Sequence, residues 1–214
     1  MKIFISYSHL DKKLAGVIKG NLEFYYYFDV FLAHEDIEPS REWEAEIISQ
    51  LKSCDAFIAL LTNNFYDSEW TNQEVGIAVV RGVQIIALNA GTNPQGFIKR
   101  YQALKHEKLE STCEQILKIL LANNDIQEKV LDALIRAFGE SRNYIIAGEK
   151  INQLLEYDEF LSTHHKNEII LLATRNKQIY ESHNATKGLG QFIKKYKDEL
   201  DGKLVEQVKK IIYV

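Results

Sequence analysis

The sequence predicts an α/β fold, in which βα units build a five-stranded parallel sheet flanked by helices over residues 1–122, followed by an all-α bundle or repeat-like domain over 123–214. Three observations carry this. Short apolar runs, the fullest at 56–61 and 84–88, alternate with amphipathic stretches through the first half. Beyond Ala122, Asn123, Asn124 and Asp125 the alternation stops and apolar stripes of helical period take over. Both prolines, Pro39 and Pro94, lie upstream of that change.

Strand one is expected at 2–6. Asp11 then reads as the N-cap or first-turn acid of a helix reaching about residue 26, with Leu14, Val17, Ile18, Leu22 and Tyr25 as its stripe. Strand two falls at 28–32. A polar loop, 34–41, precedes a helix from about residue 42, which presents Trp43, Ile47, Ile48 and Leu51 as its buried face. Strand three is 56–61. The next helix spans 69–81 and stops near Gly82, and strand four is 84–88. Gly91, Pro94 and Gly96 mark a loop, a short fifth strand is expected near 101–104, and Ser111 is the expected cap of a helix ending at 121.

The tail carries the stripes Val130, Leu131, Leu134, Ile135 and Phe138, then Ile145, Ile146, Ile151, Leu154 and Leu155, then Ile169, Ile170, Leu172 and Ala173. Breaks near 139–141, 162–165, 182–185 and 201–202 divide it into four or five helices without a clean internal repeat. Residues 1–122 carry the whole net charge of −4 and 123–214 are balanced, so the tail is no basic arm and reads as an interaction or oligomerisation domain.

Composition excludes several classes. At 46% hydrophobic and 26% charged residues the chain is an ordinary soluble globular protein, and no apolar run approaches the ~18 residues of a membrane span. The N-terminus enters a strand at once, which leaves no room for a signal sequence and predicts a cytoplasmic protein. Cys54 and Cys113 lack ligand or disulfide spacing and are expected as buried thiols. The negative charge and dispersed lysines argue against nucleic acid as a partner. His164 and His165 point to different faces of a helix and read as a polar helix boundary, so no metal site is expected. Gly188 and Gly190 follow no strand and make no dinucleotide fingerprint. The aromatic run Tyr25, Tyr26, Tyr27 and Phe28 reads as packing.

Trp70 and Glu74, at the start of the 69–81 helix, stand one turn apart on one face. An indole beside a carboxylate can border a flat heteroaromatic or sugar while the carboxylate meets developing positive charge or hydroxyls. The same spacing also suits a core tryptophan and a solvated first-turn acid facing the helix dipole, and context must decide.

That context is a set of ordered motifs: Ile3, Phe4, Ile5, Ser6, Tyr7 and Ser8 with Asp11; the segment 30–40 with Trp43; Cys54, Asp55 and the strand 56–61; Ser68, Glu69 and Trp70 with Glu74; and 93–98 with Gln102 and Ala103. Over residues 1–122 the chain resembles a bacterial Toll/interleukin-1 receptor (TIR) domain. The resemblance implies a flavodoxin-like parallel sheet, whose ligands bind beyond the carboxyl ends of the strands. It also implies one of two functions. Many such domains cleave the nicotinamide–ribose bond of NAD+, giving ADP-ribose or a cyclised or conjugated product, as in Thoeris-like antiphage systems. Others are non-catalytic adaptors that assemble through TIR contacts. A nucleoside deoxyribosyltransferase-like enzyme is a further, weaker alternative.

Carried over residue by residue, the resemblance makes Glu74 the catalytic carboxylate, contacting ribose hydroxyls and stabilising the cation or capturing it covalently. Ser6, Tyr7, Ser8, His34, Asp36, Trp43 and Trp70 are the expected substrate-binding residues, with NAD+ as substrate and no resident cofactor. Each has a structural alternative: a turn and helix cap for Ser6, Tyr7 and Ser8, a solvated loop for His34, Glu35 and Asp36, and helix-to-sheet packing for Trp43. Two positions depart from the family pattern. Ala33 replaces a common aspartate, which removes a carboxylate contact there, and Ser40 replaces a glycine, which implies a differently shaped loop. Expected partners are NAD+, further copies of the chain, and a protein trigger acting through 123–214.

Overall fold

The computed structural model describes residues 1–33 and 43–212, which form two compact units, Met1–Gln127 and Glu128–Val214. The first holds a five-stranded sheet: β1 (Lys2–Ser6), β2 (Asp29–Leu32), β3 (Ala56–Leu61), β4 (Gln84–Asn89) and β5 (Leu104–Lys105). All neighbours are parallel, in the order β2-β1-β3-β4-β5. The crossover helices are α1 (Lys12–Tyr26), α2 (Trp43–Ser53) and α3 (Glu69–Arg81), and α4 (Leu109–Leu121) follows the last strand. The chain leaves β1 toward β2 on one side and reaches β3 on the other, so the sheet's topological switch point lies between β1 and β3.

Side-chain alternation along the strands sorts the core. Phe4, Phe57 and Ile85 stand in register across β1, β3 and β4 and pack with Ile47 and Leu51 of α2 and Val75 and Ala78 of α3. Phe4 stacks on Phe57 with ring centroids 5.7 Å apart. Ser6, two residues beyond Phe4, falls on the same face at the carboxyl end of β1, the face that α3 covers. Every residue of β3 is buried, as a central strand requires.

The observed elements correct several sequence expectations. The buried stripe of α1 is Ala15, Ile18, Leu22 and Tyr26; Val17 and Tyr25 lie about a hundred degrees off that line and are exposed. Tyr27, at φ 55°, ends α1 with a left-handed cap whose N–H bonds back to Glu23 and Leu22. In α2 only Ile47 and Leu51, one turn apart, are buried; Ile48 and Trp43 are exposed. Strand β2 begins at Asp29, because Phe28 instead packs on Tyr26. Strand β5 is two residues long and lies later than expected, where it reaches Leu88 and Asn89. Helix α4 starts before Ser111, whose hydroxyl accepts from Gln115. Gly82, at φ 66°, ends α3 as its composition suggests. Cys54 and Cys113 are buried free thiols.

The second unit is helical: α5 (Gln127–Gly139), α6 (Tyr144–Glu156), α7 (Thr163–Arg175), the single turn α8 (Lys177–Tyr180), α9 (His183–Lys195) and α10 (Gly202–Ile212). Its starts are chemically marked. Asn143, Ser162, Asn176 and Ser182 each accept a hydrogen bond from the backbone of the helix they begin. His165 completes a capping box, its Nδ1 accepting from the Ser162 N–H at 3.3 Å, so the histidine pair does mark a helix boundary. Ile145, expected in a buried stripe, is 71% exposed because it falls in the first turn, off the face of Ala147, Ile151 and Leu154. Gly188 lies where α9 meets α6: a Cβ there would stand 2.7 Å from Ile151 Cγ2, which gives this glycine a packing role. No helix among the described residues is long and apolar enough to cross a membrane.

Candidate active site

The crevice at the carboxyl ends of β1 and β3 is built by two connections, β1 to α1 and β3 to α3. Ser6 ends β1, and Glu74 lies in the second turn of α3. The Ser6 hydroxyl donates to Glu74 Oε2 at 2.5 Å. Glu74 is 1% exposed, and its other oxygen, Oε1, is buried without a hydrogen-bond partner among the described residues. The solvated first-turn acid is therefore excluded.

Burial disfavours the carboxylate form and pushes the Glu74 pKa from about 4.5 up to about 7, while the Ser6 hydrogen bond pulls the other way. A carboxyl group that titrates near neutrality, with one oxygen held and the other buried without a partner among the described residues, is a poised acid or anion. A cationic group placed against Oε1 would stabilise its ionised form.

Helix α3 is held at both ends, which fixes Glu74. Near its start the Thr71 hydroxyl donates to the Phe65 carbonyl at 2.6 Å. Near its end the Arg81 guanidinium donates to the Leu51 and Cys54 carbonyls at the close of α2. Arginine thereby satisfies carbonyls that a helix terminus leaves without intrahelical partners.

Trp70 and Trp43 meet at the mouths of their helices, with ring centroids 4.2 Å apart and planes tilted by 58°. Trp43 is 37% exposed, which corrects its expected place in the buried face of α2. Trp70 is half-buried. The expected residues thus gather into two pairs, Ser6 with Glu74 and Trp43 with Trp70. Tyr7 and Ser8 are buried in the connection that follows β1. His34 and Asp36, with Glu35 and Ser40, lie outside the described residues. Ala33 is fully buried in the core beneath α2, so a methyl group stands where the carboxylate is absent.

Sequence reasoning missed Thr62 and Asn64. The Thr62 hydroxyl donates to Asp11 Oδ2 at 2.5 Å, and the Asn64 amide donates to both Asp11 oxygens at 3.2 Å. Their signal was present: polar side chains directly after a fully apolar strand, at the end of the sheet where ligands bind. Asp11 does stand at the N-cap of α1 but makes no side-chain capping bond there, because its oxygens are taken up across the crevice. A separate cavity of about 530 Å³, lined by Tyr66, Asn72, Val75 and Gln95 to Ile98, opens on the other flank of α3.

The sequence profile of the TIR domain family matches residues 3–121, more than half of the chain. No curated protein matches the chain in sequence. Among solved structures, a 2-deoxyribosyltransferase from Bacillus psychrosaccharolyticus is similar to it at 15% identity and a TM-score of 0.41, over 52% of this chain and 89% of that one.

Proposed function

Because the chain belongs to the TIR domain family, we propose that it consumes NAD+, cleaving the bond between nicotinamide and ribose with Glu74 as the catalytic carboxylate. What supports this is the state of Glu74: buried, fixed by Ser6 through Oε2, and without a hydrogen-bond partner at Oε1 among the described residues. A buried carboxylate without full hydrogen bonding is costly, and a ligand that brings positive charge offsets that cost.

NAD+ carries such a charge on the nicotinamide ring. As the glycosidic bond breaks, both bonding electrons stay with the departing nitrogen and the positive charge moves to the ribose. Nicotinamide leaves neutral, so no acid is needed for its departure. The Glu74 carboxylate meets the oxocarbenium-like ribose electrostatically, contacting its hydroxyls or capturing the anomeric carbon. Water then adds and loses a proton to give ADP-ribose, or a nucleophile within the molecule closes a ring. The Ser6 hydroxyl keeps Oε2 engaged and so orients Oε1. The Trp43–Trp70 pair borders the flat ring.

TIR domains self-associate, and in this proposal assembly completes the pocket in the cytoplasm, with residues 123–214 receiving a protein trigger or joining copies of the chain. A nucleotide product of this kind suits signalling in defence against phage. Analysis of products from NAD+ by mass and chromatographic mobility tests the assignment. ADP-ribose or a cyclic or conjugated form supports it; NAD+ left intact by assembled, triggered protein points to an adaptor, and transfer between deoxynucleosides to a different glycosidic chemistry.

A further inference from the structure

The two connections that form the crevice are joined twice. At one junction Ser6 bonds Glu74. At the other, five residues further along the first connection, Asp11 accepts hydrogen bonds from Thr62 and Asn64. An N-cap aspartate ordinarily spends its oxygens on the N–H groups of its own helix. Asp11 makes no such bond. Its carboxylate is diverted to the opposite connection, where it holds the first and third residues after β3.

From there a bonded path leads to Glu74. The Phe65 N–H donates to the Thr62 carbonyl at 3.2 Å, and the Phe65 carbonyl accepts from the Thr71 hydroxyl at 2.6 Å. Thr71 is fully buried and stands three residues before Glu74, on the adjoining turn of α3. Thr62 is itself doubly engaged, since its hydroxyl also accepts from the Asn64 N–H at 3.3 Å.

We propose that Asp11 is a positioning residue for Glu74: by clamping Thr62 and Asn64 it sets where α3 begins relative to the end of β1, and so holds the Glu74 carboxyl against Ser6 and away from water. The proposal rests on the reading of Glu74 as the catalytic group. Without the clamp, the Ser6–Glu74 bond is left to hold these connections together, α3 shifts, and water reaches the carboxyl. A misplacement of about 1 Å is enough to cost a reacting group much of its effect.

The test is the titration of Glu74, followed by NMR of carboxyl-labelled glutamate, together with kcat and KM for nicotinamide release from NAD+ by assembled protein. In the wild type the Glu74 midpoint lies at about 7. Asp11→Ala lowers it by ~1 pH unit or more as the group becomes hydrated, and reduces kcat roughly tenfold with KM little changed. Asp11→Asn keeps an acceptor for Thr62 and Asn64 and stays near the wild type in both readouts. Thr62→Val removes one donor and moves both in the direction of Asp11→Ala, which serves if that variant does not fold. A Glu74 midpoint unmoved by Asp11→Ala or Thr62→Val overturns the role of Asp11, whatever the activity. Wild-type protein that releases no nicotinamide when assembled overturns the catalytic assignment instead, and the two failures are told apart.

Discussion

Ser6 and Glu74, sixty-eight residues apart in sequence, share a buried hydrogen bond of 2.5 Å that joins the end of β1 to the second turn of α3. The bond exists because strand alternation turns Ser6 toward the helix face on which Glu74 lies. It leaves one carboxyl oxygen fixed and the other buried without a hydrogen-bond partner among the described residues. The chemistry assigned to this protein follows from that asymmetry.

Ser6→Ala removes the one interaction that lowers the Glu74 pKa, so its midpoint rises above about 7. Hydrogen bonds to a charged group contribute about 1.5–3 kcal/mol. The pH profile of kcat/KM is expected to move to higher pH, with roughly a tenfold loss at neutrality and a smaller one in alkali. A profile that moves to lower pH contradicts this.

Glu74→Gln is expected to stabilise the fold near neutrality. The folded-state pKa is raised from about 4.5 to about 7, so stability is fully present below 4.5 and is lost as pH rises through 7. Above 7 the loss is complete, at roughly 3 kcal/mol as an upper bound. Glutamine does not ionise and escapes this loss. Urea unfolding at pH 4 and pH 8 checks the sign: the variant gains at pH 8 and not at pH 4.

Trp43 and Trp70 are expected to be coupled. Aromatic pairs contribute about 0.5–1.5 kcal/mol beyond the area they bury. A double-mutant cycle with Trp43→Ala and Trp70→Ala should return an interaction energy in that range, read from unfolding. Strict additivity shows that the rings touch without holding the helix mouths together.

Gly188→Ala is expected to destabilise the helical unit by about 1–3 kcal/mol, because the added methyl meets Ile151 at 2.7 Å. Ile151→Ala removes both Cγ atoms that crowd the added methyl, so Gly188→Ala should cost less in that background than in the wild type. Thermal unfolding of both variants distinguishes this packing role from a spacer, for which Gly188→Ala would be neutral or stabilising.

Much of this fold was legible because its signals are local. Strand β3 is uniformly apolar, α3 opens after Ser68 and closes on Gly82, and Ser162 and Ser182 announce helices of the second unit by their capping chemistry. Errors came where a side chain answers to a distant partner. Asp11 does occupy the N-cap position its sequence suggests, but its carboxylate bonds Thr62 and Asn64, more than fifty residues away, which no local pattern shows. Trp43 has the spacing of a core residue but stands at the first turn of its helix, where it meets Trp70 and solvent. Motif spacing picked out Ser6 and Glu74 separately; the hydrogen bond between them depends on sheet order and helix placement, which no local window contains.

The central claim is tested most directly by the release of nicotinamide from NAD+ by assembled protein, wild type against Glu74→Gln. The wild type should release nicotinamide, and the variant, isosteric and folded, should lose at least ~100-fold of that rate, as removal of a group aimed at transition-state charge does. Equal rates in the two proteins would contradict the account.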